Sequence, residues 1–156
     1  MTRSNAREIA VHLIYACECS GETAEQVLSS RLAQEYYDGL SAENEVYADR
    51  PNQKQNTYLH RVVEGVEQER ETLRGYITEL SIGWNVNRIS RLARAMMELA
   101  MYEALYVDDV PMNVAIHEAV LLAQKYEEEE TVAFVNGVLG AFSRKYGAPA
   151  EEKPEC

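Results

Sequence analysis

The chain has 156 residues and a formal net charge of −11, with 15 Lys and Arg against 26 Asp and Glu. Its length is that of one ordinary domain, able to bury roughly two thirds of its unfolded surface. A composition that is 46% hydrophobic and 26% charged, with four Pro and eight Gly, excludes disordered and fibrous classes. The acidity excludes a protein that grips phosphate backbones by bulk attraction, because non-specific nucleic-acid binding comes from neutralising phosphates with Lys and Arg. Any nucleic-acid contact therefore has to be local, and the charge is uneven enough to allow one. Residues 21–50 carry Glu22, Glu25, Glu35, Asp38, Glu43, Glu45 and Asp49 against Arg31 and Arg50, whereas residues 131–146 carry only Arg144 and Lys145.

Cys17, Cys19 and Cys156 are too few and too badly placed for a disulfide framework, and their odd number points to a reducing compartment. The first twenty residues lack the layout of a signal peptide, and no apolar run approaches the roughly 20 residues of a membrane span. A cytoplasmic location with no membrane partner is the expectation.

In chain order, Ile9, Ala10, Leu13, Ile14 and Cys17 have the spacing of one helical face, with Ser4 as candidate N-cap and Gly21 as the stop. Thr23 and Gln26 have the form of a capping box opening a second helix that runs to about Tyr37. Residues 38–53 show no period and read as a connection. From Gln55 to Leu80 the apolar positions Leu59, Val62, Val63, Val66, Leu73, Ile77 and Leu80 predict one extended helix, weakened at Gly65 and Gly75. A helix from about Val86 to Tyr106 presents Ile89, Leu92, Ala93, Met96, Leu99 and Ala100, and ends in the Asp108–Pro111 loop. Another begins near Asn113, and Thr131 is the candidate cap of a last helix burying Phe134, Val135, Val138, Leu139 and Phe142. No stretch has a period of two, so the expected class is all-α. It has about six or seven helices in one domain over 1–146, with a flexible tail over 147–156.

Catalytic constellations are missing. His12, His60 and His117 are scattered, none forming the i, i+4 pair of zinc proteases. Cys17 and Cys19 diverge by about 200° on a helix, so they are poorly placed to share a metal. The Glu127–Glu130 run lacks the alternation and turn Gly of an oxygen-ligand loop and reads as a solvated lead into a helix N-terminus. Phosphate loops and nucleophile elbows are absent too. Neither a cofactor nor an enzymatic activity is expected.

Three segments carry a resemblance: AREIAVHLIY at 6–15, LAMYE at 99–103, and PMNVAIHEAVLLAQKY at 111–126 followed by FVNGVL at 134–139. In order and spacing they resemble the NusB family of transcription antitermination factors. That resemblance implies two small helical subdomains and a non-catalytic factor. Such a factor pairs with NusE, itself a small-subunit ribosomal protein, and with it binds the boxA element of nascent RNA. The assembly then acts in the transcription elongation complex, chiefly on ribosomal RNA operons. The resemblance further implies RNA contacts at Arg3, Arg7, Phe134 and Asn136, through guanidinium groups, a stacking ring and a base-reading amide. It implies NusE contacts at Tyr15 and Glu103.

The chain departs from the family pattern at Ala93, Glu98, His117, Gln124 and Glu127, where two positive charges are lost. Arg88, Arg91 and Arg94, three apart, form a stripe that is either a solvated face or an extension of the RNA track. Two other readings stay open: an interaction module with little RNA binding, and a relative of the domains fused to ribosomal RNA cytosine methyltransferases. Monomer and homodimer also stay open, because an apolar interface and an apolar core look alike in one chain.

Overall fold

The computed structural model describes residues 1–84 and 89–147. Over these residues the chain is all-helical, with eight α-helices, one short 3-10 turn and no strand. It divides into two compact units, Met1–Gln68 and Glu69–Cys156.

In the first unit α1 (Arg3–Ser20) packs on α2 (Ala24–Arg31) and on α4 (Gln53–Gln68), with α3 (Gln34–Leu40) and a 3-10 turn at Glu45–Tyr47 beside them. The predicted α1 face, Ile9, Ala10, Leu13, Ile14 and Cys17, is buried. Thr2, two residues before Ser4, is the N-cap, its hydroxyl accepting from the Asn5 N–H at 3.0 Å. Gly21 ends α1 at φ 73°, a left-handed conformation that only Gly adopts without strain, and its N–H donates to the Cys17 carbonyl at 3.1 Å. The capping box opens α2 as its sequence predicts: Gln26 N–H donates to the Thr23 hydroxyl at 3.2 Å and Thr23 N–H to the Gln26 amide oxygen at 2.9 Å. The helix expected to reach Tyr37 is two helices, broken at Leu32 and Ala33.

The extended helix expected over 55–80 is likewise two, α4 and α5 (Arg70–Leu80), separated by Glu69 at φ −99° and ψ 11°. This break coincides with the border between the units, where each helix turns its apolar face to its own core. These two breaks account for the helices beyond the predicted six or seven.

In the second unit α6 (Arg91–Tyr106) is the central element, with α5, α7 (Met112–Tyr126) and α8 (Glu129–Tyr146) against it. Ala95–Ala104 is buried without interruption, so α6 has little outward face. Ser90 caps it, accepting from the Ala93 N–H at 3.0 Å and lying 2.5 Å from a Glu127 carboxylate oxygen. Glu128 rather than Thr131 is the N-cap of α8, and Phe134, Val135, Val138, Leu139 and Phe142 face inward as predicted. Val86, Arg88 and the tail from 148 onward lie outside the described residues.

Candidate functional site

In the first unit the start of α1 sets Arg3 and Arg7 one turn apart. The Arg3 guanidinium carbon stands 4.4 Å from the centre of the Tyr58 ring on α4, a cation–π contact that fixes the side chain at the surface. Arg7 is buried, at 4% exposure. Two turns on from Arg7, Tyr15 is 39% exposed. It stands on the wall of a cleft of about 370 Å³ lined also by Ile9, Leu13, Arg31, Tyr36 and Tyr47. The floor and rim of this cleft are held by paired polar groups. His12 Nδ1 lies 2.5 Å from the Tyr47 hydroxyl, and the Arg31 guanidinium donates to the Tyr36 hydroxyl while its carbon stands 4.9 Å from that ring.

Behind the cleft Tyr37 is buried, its hydroxyl donating to the Asp49 carbonyl oxygen at 2.6 Å. Arg50 reaches Asp38 at 2.7 Å. Burial, then the Asp49 charge, pushes the Tyr37 phenol up to about 12, against the pull of Arg50. In the unfolded chain the same phenol titrates near 10. Its contribution to stability is therefore intact below pH 10 and is lost as pH rises through about 12. Between pH 8 and pH 11 the unfolding free energy of the chain should fall by about 1 kcal/mol more than that of Tyr37→Phe. Urea titrations at the two pH values check this, and equal falls would remove Tyr37 as the cause.

In the second unit Glu103 is wholly buried on α6, at 0% exposure. Phe134 is buried on α8, and Asn136 on the same helix is exposed. Tyr15 and Asn136 are thus exposed and Arg3 is half-buried, while Arg7, Glu103 and Phe134 are withdrawn from solvent and, as they stand, from direct contact. Charges buried to this degree hold only where partners offset their lost hydration, which gives Arg7 and Glu103 a part in fixing α1 and α6.

Sequence reasoning passed over Trp84, which meets Phe134 in a T-shaped contact at 5.2 Å and an interplanar angle of 84°. The available signal was a lone Trp following Gly83 in a segment without periodicity. Of the arginine stripe, Arg91 is exposed, Arg94 turns toward Glu98 at 3.7 Å, and Arg88 lies outside the described residues. Arg74 on α5 approaches the same Glu98 oxygen at 3.5 Å. At the far end of α8, Glu79 accepts from Lys145 and, at 2.7 Å, from the Tyr146 hydroxyl; the Lys145 hydrogen bond foremost draws the Glu79 carboxyl below its usual range.

Among the described residues no group of three or more His, Cys, Asp or Glu is placed to hold a metal ion. Cys17 is buried and Cys19 exposed on α1, consistent with their predicted divergence. Among the same residues no helix is long and apolar enough to cross a membrane.

A chain of this pattern is matched over residues 4–144 by the model of the NusB family. The chain belongs to the NusB family. Relatives named transcription antitermination protein NusB include that of Rubrobacter xylanophilus, 39% identical over 155 residues and covering 99% of both chains. That of Acetivibrio thermocellus is 39% identical over 140 residues, covering 90% of this chain and 87% of its own. Among solved structures, a T. maritima NusB superposes with a TM-score of 0.76 at 25% identity, covering 95% of this chain and 94% of that one. A complex of antitermination factors NusB and NusE with double-stranded RNA contains a chain of the same fold, with a TM-score of 0.71 at 21% identity, covering 92% of this chain and 97% of that one. Family membership thus spans both units.

Proposed function

We propose that this NusB-family chain is a cytoplasmic, non-catalytic transcription antitermination factor. It pairs with NusE, binds boxA-type RNA and delivers both to the transcription elongation complex, chiefly on ribosomal RNA operons. The observation that carries this reading is similarity to antitermination proteins along the full length of chain and relative, 99% of each for the Rubrobacter protein. Fold likeness to the NusB chain of the NusB–NusE–RNA complex supports it.

In this reading Arg3 contacts phosphate and Asn136 a base edge, while Tyr15 offers an aromatic body with a hydroxyl to NusE. Arg7, Phe134 and Glu103 hold the helices that present them. With a net charge of −11 the chain has little attraction for RNA on its own, so the RNA and NusE contacts have to reinforce each other.

The test is titration of labelled boxA-type RNA with the chain, in the presence and absence of NusE. NusE should tighten RNA binding at least tenfold, through raised effective concentration. Unchanged affinity would sink the adaptor mechanism. The acidity and the burial of Arg7 and Phe134 favour one second reading, a NusE-binding module with little RNA contact. Retained NusE binding without any RNA contribution would select it.

A further inference from the structure

The charge of the first unit is sorted by segment. Of the six Lys and Arg in Met1–Gln68, all but Arg31 lie in two stretches, residues 1–7 and 50–63, and neither stretch contains an acid. The fold lays these stretches side by side: α1 packs on α4, the Gln55 amide donates to the Met1 carbonyl, and the Arg3 guanidinium covers the Tyr58 ring. Two of the five cations face elsewhere, Arg7 being buried and Arg50 paired with Asp38. Arg3 stays half-buried over Tyr58, with exposed Lys54 one turn before that ring on α4 and exposed Arg61 one turn after it. At 3.6 residues per turn, Lys54 and Arg61 fall within about 20° of each other, both about 40–60° to the same side of Tyr58. Along the axis, steps of about 6 Å and about 4.5 Å separate positions 54, 58 and 61, close to the spacing of successive phosphates on an RNA strand.

The acids that border the two stretches are held apart from this row. Glu8 is buried, Asp49 lies 3.9 Å from the Met1 amine, and Glu67 accepts from the Ala24 N–H at 2.6 Å. Glu64 stands beside His60 at 3.5 Å, about 60° round the helix from Arg61, and closes the row at that end. The first turn of α4 holds no acid, although the helix dipole favours one there and disfavours Lys54. An anion brought by a ligand would answer both.

We propose that Lys54 and Arg61, with Arg3 between them, form a track on α4 for the phosphate backbone of single-stranded RNA. The proposal rests on the RNA-binding reading above and adds two cations that lie outside the segments carrying the family resemblance. A strand is favoured over an acidic protein by width. A specific protein contact covers about 800 Å² on each side and would take in Asp49 and Glu64 as well, whereas a strand follows a row one side chain wide. At physiological salt the Debye length is about 8 Å, so acids farther off are largely screened from that strand.

Lys54 is the single lysine of Met1–Gln68, so acetylation of the full-length protein with an N-hydroxysuccinimide ester, read by mass spectrometry, reports this row directly. NusE alone should leave the Lys54 rate unchanged, and boxA-type RNA added with NusE should slow it several-fold. In parallel, Lys54→Ala and Arg61→Ala should each flatten the slope of log affinity against log salt by about 0.7, the single-strand value for one phosphate, while Lys54→Arg keeps it. Both alanine variants should weaken binding to boxA and to scrambled RNA alike, as phosphate contacts do. Tight RNA binding with unchanged slopes and an unshielded Lys54 overturns the track and leaves the RNA-binding reading standing. Shielding by NusE alone, not deepened by RNA, overturns it in favour of a protein contact. If the chain with NusE binds no RNA, both readings fall. Acetylation is read on the unsubstituted chain, so the outcome does not rest on how the variants fold.

Discussion

Glu98→Ala should destabilise the chain by about 3 kcal/mol, because it leaves the Arg74 and Arg94 guanidiniums facing each other beside the core of the second unit. Glu98 lies on α6 with a side-chain exposure of 3%, and its Oε1 is 3.5 Å from Arg74 Nε and 3.7 Å from Arg94 Nε. The two arginine side chains keep 34% and 30% of their exposure. Their own hydration therefore offsets part of the loss, and 0.5 M salt should recover some of it. Glu98→Arg should lose more, since it sets a third cation where the anion stood. Conversely, Glu98→Leu combined with Arg74→Met should come within about 1 kcal/mol of the unsubstituted chain, since an apolar group of similar shape needs no counter-charge. Urea unfolding of the single and double variants gives the coupling directly. A loss below 1 kcal/mol for Glu98→Ala would show that the ion cluster is peripheral to stability.

Phe142→Ala should have the other large effect, about 4 kcal/mol, through loss of buried ring surface and the cavity left behind. Phe142 is fully buried on α8, with the Tyr76 ring of α5 at 5.6 Å and the Tyr146 ring at 5.3 Å. Tyr146 also donates to Glu79 on α5, so this aromatic group ties the last turn of α8 to α5. Phe142→Leu, which keeps most of the volume, should lose only about 1 kcal/mol. The urea midpoint measures both. A similar small loss for the two variants would mean that the helices close around the missing ring.

Local signals were legible from the chain. The α1 stripe, the Gly21 stop and the Thr23–Gln26 box depend on residues within a turn of each other, and all three form as read. The break at Glu69 was not legible. No Gly or Pro marks it, and Val66 and Leu73, seven apart, keep the apolar rhythm in phase across it. Leu32 and Ala33 likewise carry no breaking residue.

At the candidate site, exposed Tyr15 and Asn136 and half-buried Arg3 follow from their places on amphipathic helices. The burial of Arg7 and Glu103 does not, because whether a charge can be buried depends on groups from distant parts of the chain that offset its lost hydration. Trp84 escaped notice because a ring held by a turn has no period to betray it.

The envelopment of α6 restricts how this chain can change over time. A side chain there is read at once by α5, α7 and α8, so drift along Ala95–Ala104 is confined to swaps of like volume. Novelty is left to the outward residues of α7 and α8, such as Val114, Leu121 and Asn136. A new binding preference can therefore arise on these helices without disturbing the element that holds them together.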